Sequence, residues 1–443
     1  MANVYISFLG TNNYLECIYH CNGFETPEPV RFVQEASIQM NCSDWGPNDL
    51  ILIFTTKEAE RKNWVDDGHR NEKGEILPLK GLDRCLREMR LAAPHENRSI
   101  PEGYSEEEIW EIFRKVYDCL SPDDRVVFDI THAFRSIPLV AAIVLNYSKT
   151  LKNIQLKGIY YGAFEALGSI GQVKCMKVQD RRVRILDLTA LDRLMDWTVA
   201  TDRFLQSGDA RMAGTLAKES VKEILKETRG RDEAARTIRD LGQSLECFTW
   251  MLSTCRGPEI TETAMKLKRQ VQLCRNLQLL PPFQPLFSTI DERLGAFRGE
   301  NLQDGLAAVR WCLNHNLIQQ GFTILQEILV TFVLEETGFD PLDRDKREKA
   351  SHLFKVANDR LAGSPCKAED PREPEGEDAQ KILHVIQRYG ALCQEVERMR
   401  TPRNDLNHAG FRPETERIRV DRSPGFAKKL GEILERVETL LNR

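Results

Sequence analysis

The sequence predicts an α/β domain built on a mostly parallel sheet, followed by a mainly α-helical domain. Over residues 1 to 187, short apolar runs that end in polar loops alternate with helix-length segments, as strands joined by crossover helices require. From residue 188 onward the strand signals fade and apolar residues recur at helical spacing. The length of 443 residues exceeds the roughly 250 to 300 beyond which one core stops growing, so at least two domains are expected.

In chain order, Val4 to Leu9 is an apolar run closed by Gly10, and Leu50 to Phe54 is another closed by Thr55-Thr56; both have the composition of buried central strands. Ser105 followed by Glu106, Glu107 and Glu108 starts a helix through Leu120, with Ile109, Ile112, Phe113, Val116 and Leu120 on its apolar face. Val126 to Ile130 is the next strand, Pro138 opens a helix to about Tyr147, and Leu156 to Tyr161 is a further strand. Val173 to Leu188 reads as additional strand structure near the domain edge. The helical domain, 188 to 443, opens on Leu191, Leu194, Met195, Thr198 and Phe204 and continues with long patterns at Asp304 to Glu336, Gln380 to Arg400 and Phe426 to Leu441. Residues 363 to 379, rich in Pro, Gly and charge, read as a flexible insertion.

A net charge of -5 excludes a protein that coats nucleic acid through bulk electrostatics, so any such contact is local. No apolar run of about 18 residues occurs, and the N-terminus lacks a basic segment followed by an apolar one, which predicts a soluble, cytoplasmic protein with no membrane partner. Twelve cysteines without CxxC pairs read as reduced, mostly buried thiols. Cys17, His20 and Cys21 lie close together, but no second cluster supplies a fourth zinc ligand, and no metal site is expected.

Ligands of a parallel sheet collect at the carboxyl ends of its strands. Polar residues gather there in four places: Gly10, Thr11, Asn12, Asn13 and Tyr14 after the first strand; Thr55, Thr56 and Lys57 after the second; Asp129, Thr131, His132, Arg135 and Ser136 after the third; Tyr161 and Gly162 after the fourth. The first loop has one glycine where a dinucleotide site needs G-x-G-x-x-G, and no G-x-x-x-x-G-K-[ST] occurs. What remains is a rim of hydroxyls and amides with a few cations, suited to a phosphate-bearing ligand. Asp129, last in its strand, serves either the ligand or the loop, by accepting backbone hydrogen bonds; His132 either contacts ligand or braces the loop.

Near the C-terminus the chain reads Arg403-Asn404-Asp405-Leu406-Asn407-His408, after an amphipathic helical run ending at Thr401-Pro402. Histidine exchanges a proton near neutrality and arginine is a fixed cation whose fork fits phosphate oxygens, a pairing suited to phosphodiester cleavage. From Glu397 to Arg422 seven arginines face five acids, a modest basic excess. His408 is the candidate general acid or base and Arg403 the candidate phosphate clamp. Asn404 either bonds the phosphate, fixes the histidine tautomer, or caps a helix after Pro402. Were the phosphodiester one of RNA, its own 2'-hydroxyl would serve as nucleophile and no metal or other catalytic cofactor would be required, and neither H-E-x-x-H nor a dense carboxylate set is present. His315, beside apolar residues, reads as a satisfied core histidine.

Arg403-Asn404 with His408 resembles the R-N-x-x-x-H signature of the HEPN ribonucleases, a helical superfamily. Asp129-Ile130-Thr131-His132 resembles the D-x-T-H signature of the CARF domains, which sense cyclic oligoadenylates. In this order in one chain, the two look like a CARF-HEPN effector ribonuclease of type III CRISPR systems. The resemblance implies a Rossmann-like CARF domain at 1 to 187 and a HEPN domain at 188 to 443. It also implies an antiviral endoribonuclease that cleaves single-stranded RNA non-specifically to a 2',3'-cyclic phosphate and a 5'-hydroxyl. A cyclic oligoadenylate, cyclic tetra-adenylate being the commoner one, is the implied allosteric activator, bound across a homodimer or an assembly of dimers. The rival is a cyclic-nucleotide sensor or RNA-binding adaptor with an inert HEPN domain; intact Arg403, Asn404 and His408 favour the enzyme.

Overall fold

The computed structural model describes residues 1–132, 137–277, 284–361, 376–411, 413, 415 and 425–441. The chain divides into two compact units, Met1–Arg193 and Leu194–Arg443, the division falling within the Thr189–Ser207 helix.

The first unit is an eight-stranded mixed sheet of β1 (Asn3–Leu9), β2 (Ile18–Cys21), β3 (Phe24–Glu25), β4 (Leu50–Thr55), β5 (His95–Ser99), β6 (Arg125–Asp129), β7 (Gln155–Gly162) and β8 (Arg182–Asp187). Their order is β3-β2-β8-β7-β6-β1-β4-β5, with antiparallel pairing only at β2/β3 and β7/β8. Alternation along β1 divides the core. Val4, Ile6 and Phe8 join Leu52, Phe54, Val126 and Phe128 under the helices Glu106–Asp118 and Ile137–Lys152. Tyr5 and Leu9 join Ile51, Ile53 and Val127 on the other face, with Ile38 of the Val33–Cys42 helix and Leu82 and Leu86 of the Leu82–Glu88 helix. Both faces of the central strands are covered, which is why their sequences are continuously apolar.

The chain runs outward from β1 to β4 and β5, then returns to β6 on the other side of β1 and continues to β7. The order therefore reverses between β1 and β6. An open parallel sheet has its crevice at such a switch point, outside the carboxyl ends of the flanking strands.

Among its described residues the second unit consists of helices and the turns that join them, with no strand. Phe204, Phe248, Phe297 and Trp311 form an aromatic cluster at its core. The Ile318–Glu336 helix is apolar on several faces and packs against the helices Asn301–Asn314, Gly390–Asn407 and Gly425–Leu441.

Several elements differ from the sequence expectations. Within Val173 to Leu188 only Arg182–Asp187 is a strand; Ser169 and Gln172 form a reciprocal cap that starts a helix at Ile170–Cys175 instead. The Asp304 to Glu336 pattern is two helices, because Asn316 turns left-handed (φ 58°) between them. Gln380 to Arg400 is divided at Tyr389 into Glu377–Arg388 and Gly390–Asn407. Of the insertion expected at 363 to 379, residues 363 to 375 lie outside the described residues, and Glu377 already begins a helix, with Glu377 and Asp378 in the first turn where acids are favoured. His315 is buried as expected, its ring nitrogens facing the Trp311 (2.8 Å) and Leu205 (3.1 Å) carbonyl oxygens. No helix among the described residues is long and apolar enough to cross a membrane.

Phe128 lies in contact with Phe8 at the centre of the sheet, ring centroids 6.1 Å apart. Phe128→Ala is expected to destabilise the protein by about 3–5 kcal/mol through lost burial and the cavity left behind. Urea denaturation followed by circular dichroism checks this; a loss below about 1 kcal/mol would contradict the packing described.

Candidate functional site

The rim at the β1/β6 switch point is organised from below by Asp129. Its buried carboxylate accepts hydrogen bonds from the Tyr5 hydroxyl (3.1 Å), the Ser7 hydroxyl (3.3 Å), the Thr131 amide (3.0 Å) and the Thr131 hydroxyl (2.6 Å). Burial raises its pKa and these bonds oppose the rise. The Thr131 hydroxyl in turn accepts from the Gly162 amide at 2.8 Å, joining the ends of β6 and β7. Asp129 is therefore the brace beneath the rim rather than part of its surface.

The first loop is held by two residues that sequence reasoning missed. Asn63 donates to the carbonyl oxygens of Gly10 (2.8 Å) and Asn12 (2.9 Å), while its own oxygen accepts from Arg31 (3.1 Å) and faces His69 Nε2 (3.0 Å). Arg31 also donates to the carbonyl oxygens of Tyr14 and Lys80 and to the Asn13 side chain. Asn63 lies in a π-helical turn, Glu60–Trp64, and no spacing in the sequence links it to residues 10 to 14.

These contacts shape a cavity of about 390 Å³. It brings together the expected Asn12, Asn13, Tyr14, Thr131, His132 and Gly162 with Tyr19, Phe164, Glu165 and Ser169. In the loop after β7 only Tyr161 and Gly162 stand out by position in the sequence, whereas the lining extends on to Phe164, Glu165 and Ser169. Gly10 and Thr11 do not line the cavity. Gly10 is required by close approach: a Cβ there would lie 2.5 Å from the Tyr14 hydroxyl and 3.3 Å from the His132 carbonyl oxygen. Thr55 and Thr56 are placed elsewhere, both buried. Thr55 donates to the Asn97 side chain at 2.7 Å, and Thr56 caps the turn that follows by accepting from the Ala59 amide. Tyr161 donates to Glu165 and does not line the cavity. Arg135 and Ser136 lie outside the described residues.

His132 stacks on Tyr14, ring centroids 4.1 Å apart and planes 27° from parallel. Its Nε2 is sealed from solvent and has no hydrogen-bond partner among the described residues. Burial pushes its pKa down to about 3, so the ring is neutral at physiological pH. The cavity thus offers amides, hydroxyls and aromatic faces, with a neutral imidazole at one wall.

In the second unit, the Gly390–Asn407 helix runs through Pro402, so the helix end expected at Thr401-Pro402 does not occur and Asn404 caps nothing there. Proline deprives the Arg398 carbonyl of its donor, at a cost of about 3 kcal/mol or more. Pro402 is itself buried, as are Leu392, Cys393 and Met399 on the same helix, and that packing carries the helix across it. The end comes at His408, after which Ala409 (φ 50°) and Gly410 (φ 72°) turn left-handed. The Gly410 amide donates back to the Asp405 carbonyl oxygen at 2.9 Å.

Arg403, half-buried, donates through one arm to Gln326 Oε1 of the Ile318–Glu336 helix and through the other to Asn404 Oδ1 at 3.1 Å. His408 is exposed at the helix end. The structure therefore joins Arg403 to Asn404 directly and sets His408 about a turn and a half further along the axis. Of the basic excess that follows, Arg412, Arg417, Arg419 and Arg422 lie outside the described residues.

No protein-family profile matches the chain. The chain is similar to the CRISPR-associated protein MJ1674 of Methanocaldococcus jannaschii, at 29% identity over 150 residues, covering 33% of this chain. The match spans about a fifth of that protein's length (22%). Among solved structures, Enterococcus italicus Csm6 bound to cyclic hexa-2'-fluoro-hexa-dAMP aligns over 99% of this chain and 93% of that one, with 9% identity and a TM-score of 0.44.

The state of His132 predicts an acid limb in stability. Its folded pKa lies below the ordinary 6.5, so the unfolded chain binds a proton first and stability falls as pH drops from about 6.5 toward 3. His132→Gln is expected to lose about 1–2 kcal/mol less than the wild type between pH 7 and pH 5. Urea titrations at the two pH values measure it; equal losses in both proteins would show that His132 is not held neutral.

Proposed function

We propose that the chain is a CRISPR-associated effector, an endoribonuclease that cleaves single-stranded RNA when a cyclic oligoadenylate occupies the rim of its N-terminal sheet. The observation that carries the reading is the pairing, in one chain, of a switch-point cavity walled by Thr131 and His132 with a helix end that presents Arg403 and His408. The similarity to a CRISPR-associated protein supports it.

The cavity suits the ligand class. Amides and hydroxyls match the hydrogen-bonding edges of a base, and Tyr14 and Phe164 offer aromatic surface for stacking. Arg31, beneath the first loop, is a cation whose hydrogen-bond acceptors are neutral oxygens, and its charge favours phosphate at the rim.

At the second site, His408 moves the proton of the 2'-hydroxyl or of the leaving 5'-oxygen, and Arg403 stabilises the charge that develops on the phosphate between them. The products are a 2',3'-cyclic phosphate and a 5'-hydroxyl. Two chains pair so that two such motifs face one cleft and two rims share one cyclic ligand. A ligand activates only through tighter binding to the competent state, and a shift from 1:99 to 99:1 takes about 5.5 kcal/mol of differential affinity.

The test is cleavage of a fluorescent single-stranded RNA with and without each cyclic oligoadenylate. His408→Ala is expected to lower the activated rate by about 10²- to 10⁴-fold with the fold intact, and the wild-type rate is expected to persist in excess EDTA. A folded His408→Ala protein with unchanged activity would remove the assignment, and chelator inhibition reversed by magnesium would place the chemistry on a metal.

His132→Ala is expected to raise the cyclic tetra-adenylate concentration for half-maximal cleavage by about tenfold, the loss of roughly 1.4 kcal/mol of binding, with less effect at saturation. An unchanged activation curve would take the ligand away from this cavity.

A further inference from the structure

We propose that Gln326 is a positioning residue for Arg403, orienting the guanidinium through a neutral acceptor so that its full positive charge remains available to the scissile phosphate. The inference rests on the ribonuclease reading above and assigns a role to a helix that the R-x4-H motif does not include.

Ile318–Glu336 is the apolar helix at the centre of its unit, and its buried positions are occupied by residues such as Phe322, Leu325 and Leu329. Two glutamines seven residues apart, and so on one face of the helix, reach the motif. Gln326 Oε1 accepts from Arg403, and Gln319 Nε2 donates to Asn407 Oδ1 at 3.4 Å. Arg403 and Asn407 are in turn four residues apart on the facing helix, so the two contacts fix the register of one helix against the other.

The chemistry of the acceptor matters more than its presence. Among the described residues, Arg403 meets only amide oxygens, from Gln326 and Asn404, while its Nε is buried without a partner. A carboxylate at 326 would hold the guanidinium equally well but would compensate its charge, and in partly buried surroundings that compensation is large. The adjacent Glu327 shows the contrast, since its carboxylate pairs with Arg347 at 2.6 Å. Two tethered arms also remove rotamer freedom that phosphate binding would otherwise have to restrict, while each arm keeps a second N–H for a phosphate oxygen.

The test compares Gln326→Glu, Gln326→Leu, Arg403→Ala and the double variant Gln326→Glu/Arg403→Ala. Cleavage kinetics are measured at saturating cyclic tetra-adenylate, and binding of a non-cleavable 2'-O-methyl RNA by fluorescence anisotropy across salt. Gln326→Glu, which preserves shape and acceptor, is expected to lower kcat by at least about tenfold, to weaken RNA binding and to reduce the salt slope by about 0.7, one phosphate contact on a single strand. Gln326→Leu is expected to lower kcat less and to leave the salt slope unchanged, because the charge survives without its tether. In the Arg403→Ala background, Gln326→Glu is expected to have no further effect. Gln326→Glu cleaving at the wild-type rate, or costing the same factor with and without Arg403, would overturn the proposal in favour of a packing role. Should Gln326→Glu fail to fold, an unaltered kcat in Gln326→Leu would overturn it equally. If wild type and Arg403→Ala cleave alike, the ribonuclease reading itself fails; RNA binding that is also indifferent to Arg403→Ala then removes the role of Gln326 with it.

Discussion

A buried carboxylate at the end of β6 is the constraint on which the N-terminal rim depends. Asp129 pairs in register with Ser7 of β1 and gathers four donors from Tyr5, Ser7 and Thr131. Hydrogen bonds to a charged group contribute about 1.5–3 kcal/mol each, and removal of the acceptor would take these bonds from the buried Tyr5 and Ser7 hydroxyls. The turn after β6 is consequently not a free loop. Thr131 receives its orientation from Asp129 and passes it to Gly162 at the end of β7, so three strand ends form one rigid edge. His132 follows directly and lies against Tyr14 from the β1 loop, which places a neutral ring where the sheet order reverses.

The two candidate sites share a way of holding positive charge. Arg31 is tied by carbonyl and amide oxygens under the first loop, and Arg403 by the amide oxygens of Gln326 and Asn404. Exposed ion pairs elsewhere, such as Arg84 with Glu88, contribute little to stability because solvent screens them and side-chain entropy opposes them. Neutral acceptors serve a different purpose. They fix the plane of a guanidinium without a carboxylate hydrogen-bonded to it, although Glu35 lies close enough to Arg31 to offset part of its charge. The cost is imperfect satisfaction, visible in the buried Arg403 Nε that bonds to nothing in the described structure.

Much of the fold is legible in the sequence because the central strands are buried on both faces. β1, β4 and β6 appear as apolar runs, and their ends point to the crevice. β5, His-Glu-Asn-Arg-Ser, carries no such signal because it is an edge strand, where polar residues are tolerated. Thr55 and Thr56 look like rim residues by position alone, yet the chain turns them inward to satisfy Asn97 and a helix start. Asn63 and Gln326 are legible only in three dimensions, since each acts on a residue more than fifty positions away. The boundaries at Tyr389 and Asn316 escape for a related reason: apolar periodicity continues through both, and only the backbone reveals the breaks.

The placement of Arg403 and His408 on either side of a helix end follows from what each must do in the proposed chemistry. A charge stabiliser acts best when fixed before the reaction begins, because reorganisation then costs nothing as charge develops. Arg403 meets that demand inside the last turns, tethered to a second helix. A proton carrier must instead approach two different oxygens in succession, one entering and one leaving. His408 sits at the cap, where its side chain is released from the regular direction that the helix imposes, and it is exposed. The left-handed pair Ala409 and Gly410 then turns the chain away, with the Gly410 amide closing on the Asp405 carbonyl oxygen. An alanine at positive φ costs roughly 1 kcal/mol relative to glycine, so the turn is held there against its own conformational preference. The Gly410 bond offsets that cost and fixes the helix end directly after His408, which leaves His408 at the boundary between an ordered helix and solvent while Arg403 behind it is tied to a second helix.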